Sequence, residues 1–126
     1  MVEVFQLADE FGPARVIHIH RPSLGLKAIT VIDNTACGPA VGGVRMAPDV
    51  STEECFRLAR AMTWKNAAAG LAFGGGKSVI IGDPHMPKQC KEEIIRALPA
   101  LSIAAGSVGV LLHRGANPGK YAPRAR

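Results

Sequence analysis

The spacing of apolar residues changes along the chain, and each spacing predicts a different element. Residues 2–11 set Val2, Val4, Phe5, Leu7 and Phe11 among acidic and polar positions, which predicts a short amphipathic helix closed by Gly12-Pro13. Residues 15–20 (Arg-Val-Ile-His-Ile-His) are β-prone, and Leu26 to Asp33 is a mostly apolar run suited to a strand buried on both faces. The intervening Arg21-Pro22-Ser23-Leu24-Gly25 predicts a hairpin turn. Ala40 to Met46 forms a third strand, weakened by glycine.

Ser51-Thr52-Glu53-Glu54 opens a helix with a capping box and with acids in its first turn. Cys55, Leu58, Ala59, Met62 and Ala69 then recur at helical spacing, with Arg57 and Arg60 off that stripe. The spacing carries the helix to about Ala69, with a stop at Gly70. Phe73-Gly74-Gly75-Gly76 reads as a loop and Ser78–Ile81 as a short buried strand. A last helix runs from about Pro87 to Leu98. This order of elements predicts a single three-layer α/β domain, a mixed, partly parallel sheet flanked by helices.

Composition narrows the classes. A 48% apolar and 20% charged chain of 126 residues is an ordinary globular domain. A substrate domain and a complete nucleotide-binding domain do not both fit in that length. All ten acids lie at or before Glu93, so the net charge of +5 comes mostly from residues 99–126, which hold four basic residues and no acid. A nucleic-acid face clusters cations with aromatics, and residues 1–98 have no such cluster. The N-terminus carries acids and no basic residue, unlike a signal peptide. No apolar run reaches the roughly 20 residues of a membrane span. The expectation is a cytoplasmic protein with neither a nucleic acid nor a membrane as partner. Cys37, Cys55 and Cys90 make no CxxC pair and read as reduced thiols. His18 and His20 share a strand face, and with no third ligand they read as strand residues and not as a metal site.

Gly74-Gly75-Gly76-Lys77-Ser78 invites a phosphate-loop reading. That loop needs a glycine where Leu71 stands, and it follows a strand and opens a helix; here the flanks are reversed. A different chemistry suits the segment. Three glycines allow close approach and present Lys77 at the start of a buried strand. A lysine in an apolar pocket loses solvation and its pKa falls, the more so beside a second cation such as Lys65. In such a pair one lysine grips a carboxylate while the other, neutral, takes a proton. Two solvated surface lysines are the plainer alternative.

Gly38–Met46 (Gly-Pro-Ala-Val-Gly-Gly-Val-Arg-Met), Leu58–Gly70 (Leu-Ala-Arg-Ala-Met-Thr-Trp-Lys-Asn-Ala-Ala-Ala-Gly) and Gly74–Pro84 (Gly-Gly-Gly-Lys-Ser-Val-Ile-Ile-Gly-Asp-Pro) occur in this order. With these three motifs the chain resembles the glutamate/leucine/phenylalanine/valine dehydrogenases, over roughly residues 2–98, in their N-terminal substrate-binding and subunit-assembly domain. The resemblance implies oxidative deamination of an L-amino acid to a 2-oxo acid and ammonia, with NAD or NADP as hydride acceptor, no metal, and a homo-oligomer. It implies that Lys65 binds the substrate α-carboxylate and that Lys77 is the catalytic lysine, activating water against the imino intermediate. Gly42, Gly43 and Met62 would line the pocket, and Arg45 would be structural. Glutamate-specific members carry a lysine where this chain has Val41. An apolar residue cannot stabilise a buried carboxylate, so Val41 and Met62 point to a leucine-, valine- or phenylalanine-type pocket.

The family pattern stops near Leu98-Pro99. The family's second catalytic residue, an aspartate, has no counterpart after Asp83, and no G-x-G-x-x-G follows a strand. The expectation is a dehydrogenase domain over 1–98 and a divergent basic tail over 99–126, read as a shifted frame or a truncated gene end. The nucleotide domain would be missing, and hydride transfer is not expected of these residues alone. The alternatives are a non-catalytic amino-acid-binding or oligomerisation module, and a glutamate-type specificity; a nucleoside-triphosphate-binding protein rests only on the off-register glycine loop.

Overall fold

The computed structural model describes residues 3–104 and 110–112. Helix α1 spans Val4–Leu7, strand β1 Arg15–Arg21 and β2 Leu26–Asn34, with a 3-10 turn over Pro22–Leu24. Strands β3 (Ala40–Gly42) and β4 (Val44–Ala47) precede helix α2 (Thr52–Ala68). Strand β5 (Gly74–Ile81), helix α3 (Lys88–Ala104) and strand β6 (Val110–Leu112) complete the described order.

The strands form one mixed sheet in the order β1-β2-β5-β3-β6, with β4 also on β5. β1, β2 and β5 pair antiparallel, whereas β3 and β4 run parallel to β5. The β1–β2 hairpin turns at Gly25, whose positive φ of 64° suits glycine. Ile29, Val31 and Val79 face α2 through Cys55 and Ala59. The opposite face, with Leu26, Ala28 and Ile80, packs on Ile94 of α3. Two cores on two faces give the three-layer α/β arrangement that the element order predicts, and both depend on β2 being buried on both sides.

Several boundaries differ from the sequence pattern. The first helix is one turn rather than ten residues. The Asp9 carboxylate accepts the Phe11 and Gly12 N–H groups at 2.9 and 3.3 Å, offering the backbone a turn in place of further helix. The third strand is split at Gly43, yet the register is the same on both sides: Val41 lies opposite Gly75 and Val44 opposite Ser78. Gly74–Gly76 are strand and not loop, because ladders to β2 and β3 hold them on both sides. Nor is Lys77 at a strand start; it is the fourth residue of β5. The last helix runs on past Leu98 to Ala104. Most of the basic tail, 113–126, lies outside the described residues.

Candidate functional site

Helix α2 is held at both ends by local chemistry. The Ser51 hydroxyl accepts the Glu54 N–H at 3.2 Å, capping the first turn. The Glu54 carboxylate is turned to Arg45 on β4, at 2.7 Å, tying the start of the helix to the sheet. At the other end, Leu71 N–H donates to the Asn66 carbonyl and Gly70 N–H to the Ala67 carbonyl, both at 3.0 Å, with Gly70 at φ 68°. This is the glycine-terminated exit expected from the sequence. It leaves Lys65 in the last turn, exposed, with Met62 half-buried one turn earlier.

The buried face of α2 is more polar than its apolar spacing suggests. Cys55, Ala59, Thr63 and Asn66 are buried, while Leu58 and Met62 are half-buried and Ala69 is exposed. The helix settles this close to the sheet because β5 presents glycine beneath it. A Cβ on Gly75 would overlap Thr63 Oγ1 and stand 2.6 Å from the Ala59 carbonyl oxygen. A Cβ on Gly42 would overlap the Gly76 carbonyl.

Lys77 projects from β5 on the side of α2, since Gly75 and Val79, two residues either way, meet that helix. Register continuity puts Gly43 opposite Lys77, so the neighbouring position on the strand pair carries no side chain. Val41 and Arg45 flank that gap on the same face. Lys77 is half-buried, and among the described residues its ammonium has no acid partner. Burial lowers its pKa below the ordinary lysine value; the nearby Cys55 opposes this, and the charges of Lys65 and Arg45 lower it further. Behind it, the Cys55 thiol donates to the Lys77 carbonyl at 3.3 Å, and burial pushes that thiol up to about 12. Cys55 is therefore a packed, protonated group, and Cys37 and Cys90 are free and exposed.

The structure thus brings Val41, Gly42, Gly43 and Lys77 together at the β3–β4 break, with Lys65 near enough for its charge to act on Lys77. A half-buried lysine with a lowered pKa, opposite a glycine and near a second lysine, is placed to hold an anion and to move a proton. His18 lies on β1, its Nε2 3.4 Å from the Thr52 hydroxyl. Among the described residues no three His, Cys, Asp or Glu side chains are grouped to hold a metal ion, and no helix is long and apolar enough to cross a membrane.

The sequence reading passed over the polar residues that fix this geometry: Asp33, Arg60, Thr63 and Asn66. The signal available was that Thr63 and Asn66 continue the Cys55–Ala59 spacing, which puts two polar side chains on a buried stripe.

Comparison with known proteins places the chain in a family. The family described as "Glu/Leu/Phe/Val dehydrogenase, dimerisation domain" matches residues 13–105. A phenylalanine dehydrogenase of Thermoactinomyces intermedius is 48% identical over 92 residues, covering 70% of this chain and 25% of that protein. A leucine dehydrogenase of Bacillus subtilis (strain 168) is 45% identical over 100 residues, covering 76% of this chain and 27% of that protein. The crystal structure of L-tryptophan dehydrogenase from Nostoc punctiforme superposes with a TM-score of 0.72 at 31% identity, covering 87% of this chain and 33% of that one. The chain spans about a quarter of the length of the curated relatives it matches.

Proposed function

The chain belongs to the Glu/Leu/Phe/Val dehydrogenase family through its dimerisation domain, and on that premise we propose that it is the substrate-binding part of an L-amino-acid dehydrogenase. The reaction is oxidative deamination of an L-amino acid with an apolar side chain to a 2-oxo acid and ammonia. The observation that carries this reading is Lys77: half-buried, without an acid partner among the described residues, facing Gly43, and lowered in pKa.

The division of labour follows from exposure. Lys65, at the exposed end of α2, grips the α-carboxylate. Lys77, enclosed and beside other cations, gives up its proton more readily. As a neutral amine it accepts a proton from the water that attacks the imino carbon. Gly42 and Gly43 keep the gap clear, and Val41 and Met62 face the substrate side chain. With apolar Val41 and Met62 facing it and Arg45 held by Glu54, a side-chain carboxylate would be buried unpaired, which disfavours glutamate. Relatives named as leucine and phenylalanine dehydrogenases support the same preference.

NAD or NADP supplies the acceptor for the hydride that leaves the substrate α-carbon. Among the described residues neither α2 nor α3 follows a strand through a glycine-rich turn suited to its phosphates, so no residue is assigned to it. The family's description as a dimerisation domain supports a homo-oligomer.

Calorimetric titration with L-leucine, L-valine, L-phenylalanine and L-glutamate tests the reading. The apolar amino acids should bind in preference to glutamate, and Lys65→Ala should weaken leucine at least about tenfold, the loss of one charged hydrogen bond. Unchanged leucine affinity in Lys65→Ala, or a preference for glutamate, overturns it.

A further inference from the structure

Asn66 follows Lys65 directly and takes no part in the roles above. Its side chain is buried, the residue being 6% exposed. A carboxamide at that depth has to find hydrogen-bond partners inside the protein. Asn66 finds them on two different strands. Its Nδ2 donates to the Gly74 carbonyl at 2.7 Å and reaches the Val41 carbonyl at 3.5 Å. Gly74 is the first residue of β5, three residues before Lys77. Val41 is the central residue of β3, beside the gap that Lys77 faces.

These attachments tie the last turn of α2 to both strands beside Lys77, in addition to the packing of Thr63 and Ala59 on Gly75. The β3–β5 ladder covers two residue pairs, Ala40 with Gly74 and Val41 with Gly75, together with the Gly74 N–H to Pro39 carbonyl bond at 2.9 Å. The connection from α2 to β5, residues 69–73, lies largely at the surface. The Asn66 main chain closes the helix exit by accepting the Leu71 N–H, while its side chain grips the strand that the exit leads into. Asn66 therefore ties the end of α2 directly to the start of β5.

We propose that Asn66 is a positioning residue for the lysine pair: by clamping the last turn of α2 to Gly74 and Val41, it sets the separation of Lys65 from Lys77 and the depth at which Lys77 is enclosed. This rests on the assignment of Lys65 and Lys77 under the proposed function. Asn66 touches no reacting atom; it acts through the placement of both lysines. Without the carboxamide, water enters between α2 and β5, and two buried carbonyls lose a donor.

The test is the titration of Lys77 in the whole chain, followed by NMR of ¹³C-dimethylated lysines and assigned by the signal missing in Lys77→Arg. In the wild type the midpoint should lie below the ordinary lysine range. In Asn66→Ala it should rise by about one pH unit, with leucine affinity falling roughly tenfold. Ser51→Ala weakens the same helix at its far end and should leave the midpoint where it is, which separates placement from stability. Asn66→Gln keeps the donor but displaces it, and should raise the midpoint in the same direction if Asn66→Ala does not fold. A wild-type Lys77 that titrates as an ordinary lysine overturns the functional reading beneath the proposal. A lowered wild-type midpoint that stays put in the folded Asn66 variant, or that moves equally in Ser51→Ala, overturns the role of Asn66 alone.

Discussion

Arg60 Nε donates to Asp33 Oδ2 at 2.7 Å, although Asp33 lies wholly inside the protein on β2 and Arg60 stands twenty-seven residues away on α2. The Thr63 hydroxyl donates to the same oxygen at 2.6 Å, and Arg60 Nη2 reaches the other at 3.1 Å. The outer edge of the guanidinium holds Asp9 at 2.6 and 2.8 Å, and Phe56 and Phe11 lie against it. One arginine thus joins the N-terminal segment, the central sheet and the helix that carries Lys65.

Removing one partner of a buried ion pair leaves the other charge uncompensated. Arg60→Ala should therefore cost about 3–5 kcal/mol, read from the urea unfolding midpoint. Thr63→Val keeps the ion pair and should cost less, about 1–3 kcal/mol. An Arg60→Ala chain as stable as the wild type contradicts this account of the network.

Asp9 gives the chain an acid-sensitive contact. The Arg60 hydrogen bonds, with the Phe11 N–H, hold its carboxyl down to about 2 from the ordinary 3.8. A carboxylate lowered on folding contributes stability above its unfolded value, and that contribution disappears as pH falls through the folded one. Between about pH 4 and pH 2 the wild type should lose melting temperature faster than Asp9→Asn, while above pH 5 the two should run parallel. Scanning calorimetry across that range checks it.

Two glycines should respond differently to alanine. Gly75→Ala drives a methyl group into Thr63 and the Ala59 carbonyl, so α2 must lift from β5. The expected cost is about 3 kcal/mol or more, beyond ordinary overpacking. A Cβ at Gly25 meets nothing within 4 Å, and the cost there is backbone strain alone, about 1–2 kcal/mol. Chemical denaturation of both variants tests the contrast; equal losses would mean that α2 does not rest on Gly75.

Lys77 should cost the fold stability where it carries charge. Its pKa is lowered on folding, by burial first, so between the folded value and the ordinary 10.5 the unfolded chain binds the extra proton. Stability then rises with pH across that window. Lys77→Met should raise the urea midpoint at neutral pH, and the gain should shrink as pH climbs towards 10.5. Lys65→Met, which removes a like charge, should move the Lys77 midpoint upward. A neutral or destabilising Lys77→Met would contradict its enclosure.

Features whose causes lie within a turn or two of chain can be read from the residues alone. Ser51 with Glu54, and Gly70 with Leu71, carry their capping partners three to five residues away, so both ends of α2 were legible. The apolar run from Leu26 announced a strand buried on both faces. Lys65 and Lys77 stood out because the three motifs around them form a family pattern. Features that depend on distant partners emerge only in the fold. Gly74–Gly76 became strand because residues 32–34 and 40–41 bond to them and α2 needs their missing side chains. Arg60 stands off the apolar stripe by its spacing, but Asp33 draws it inward, and Asn66 finds its partners, Gly74 and Val41, only in the folded chain. Local periodicity records which face of an element is apolar. Which polar group on that face is tolerated depends on the charge or carbonyl waiting opposite, and only the folded chain brings that partner within hydrogen-bond reach.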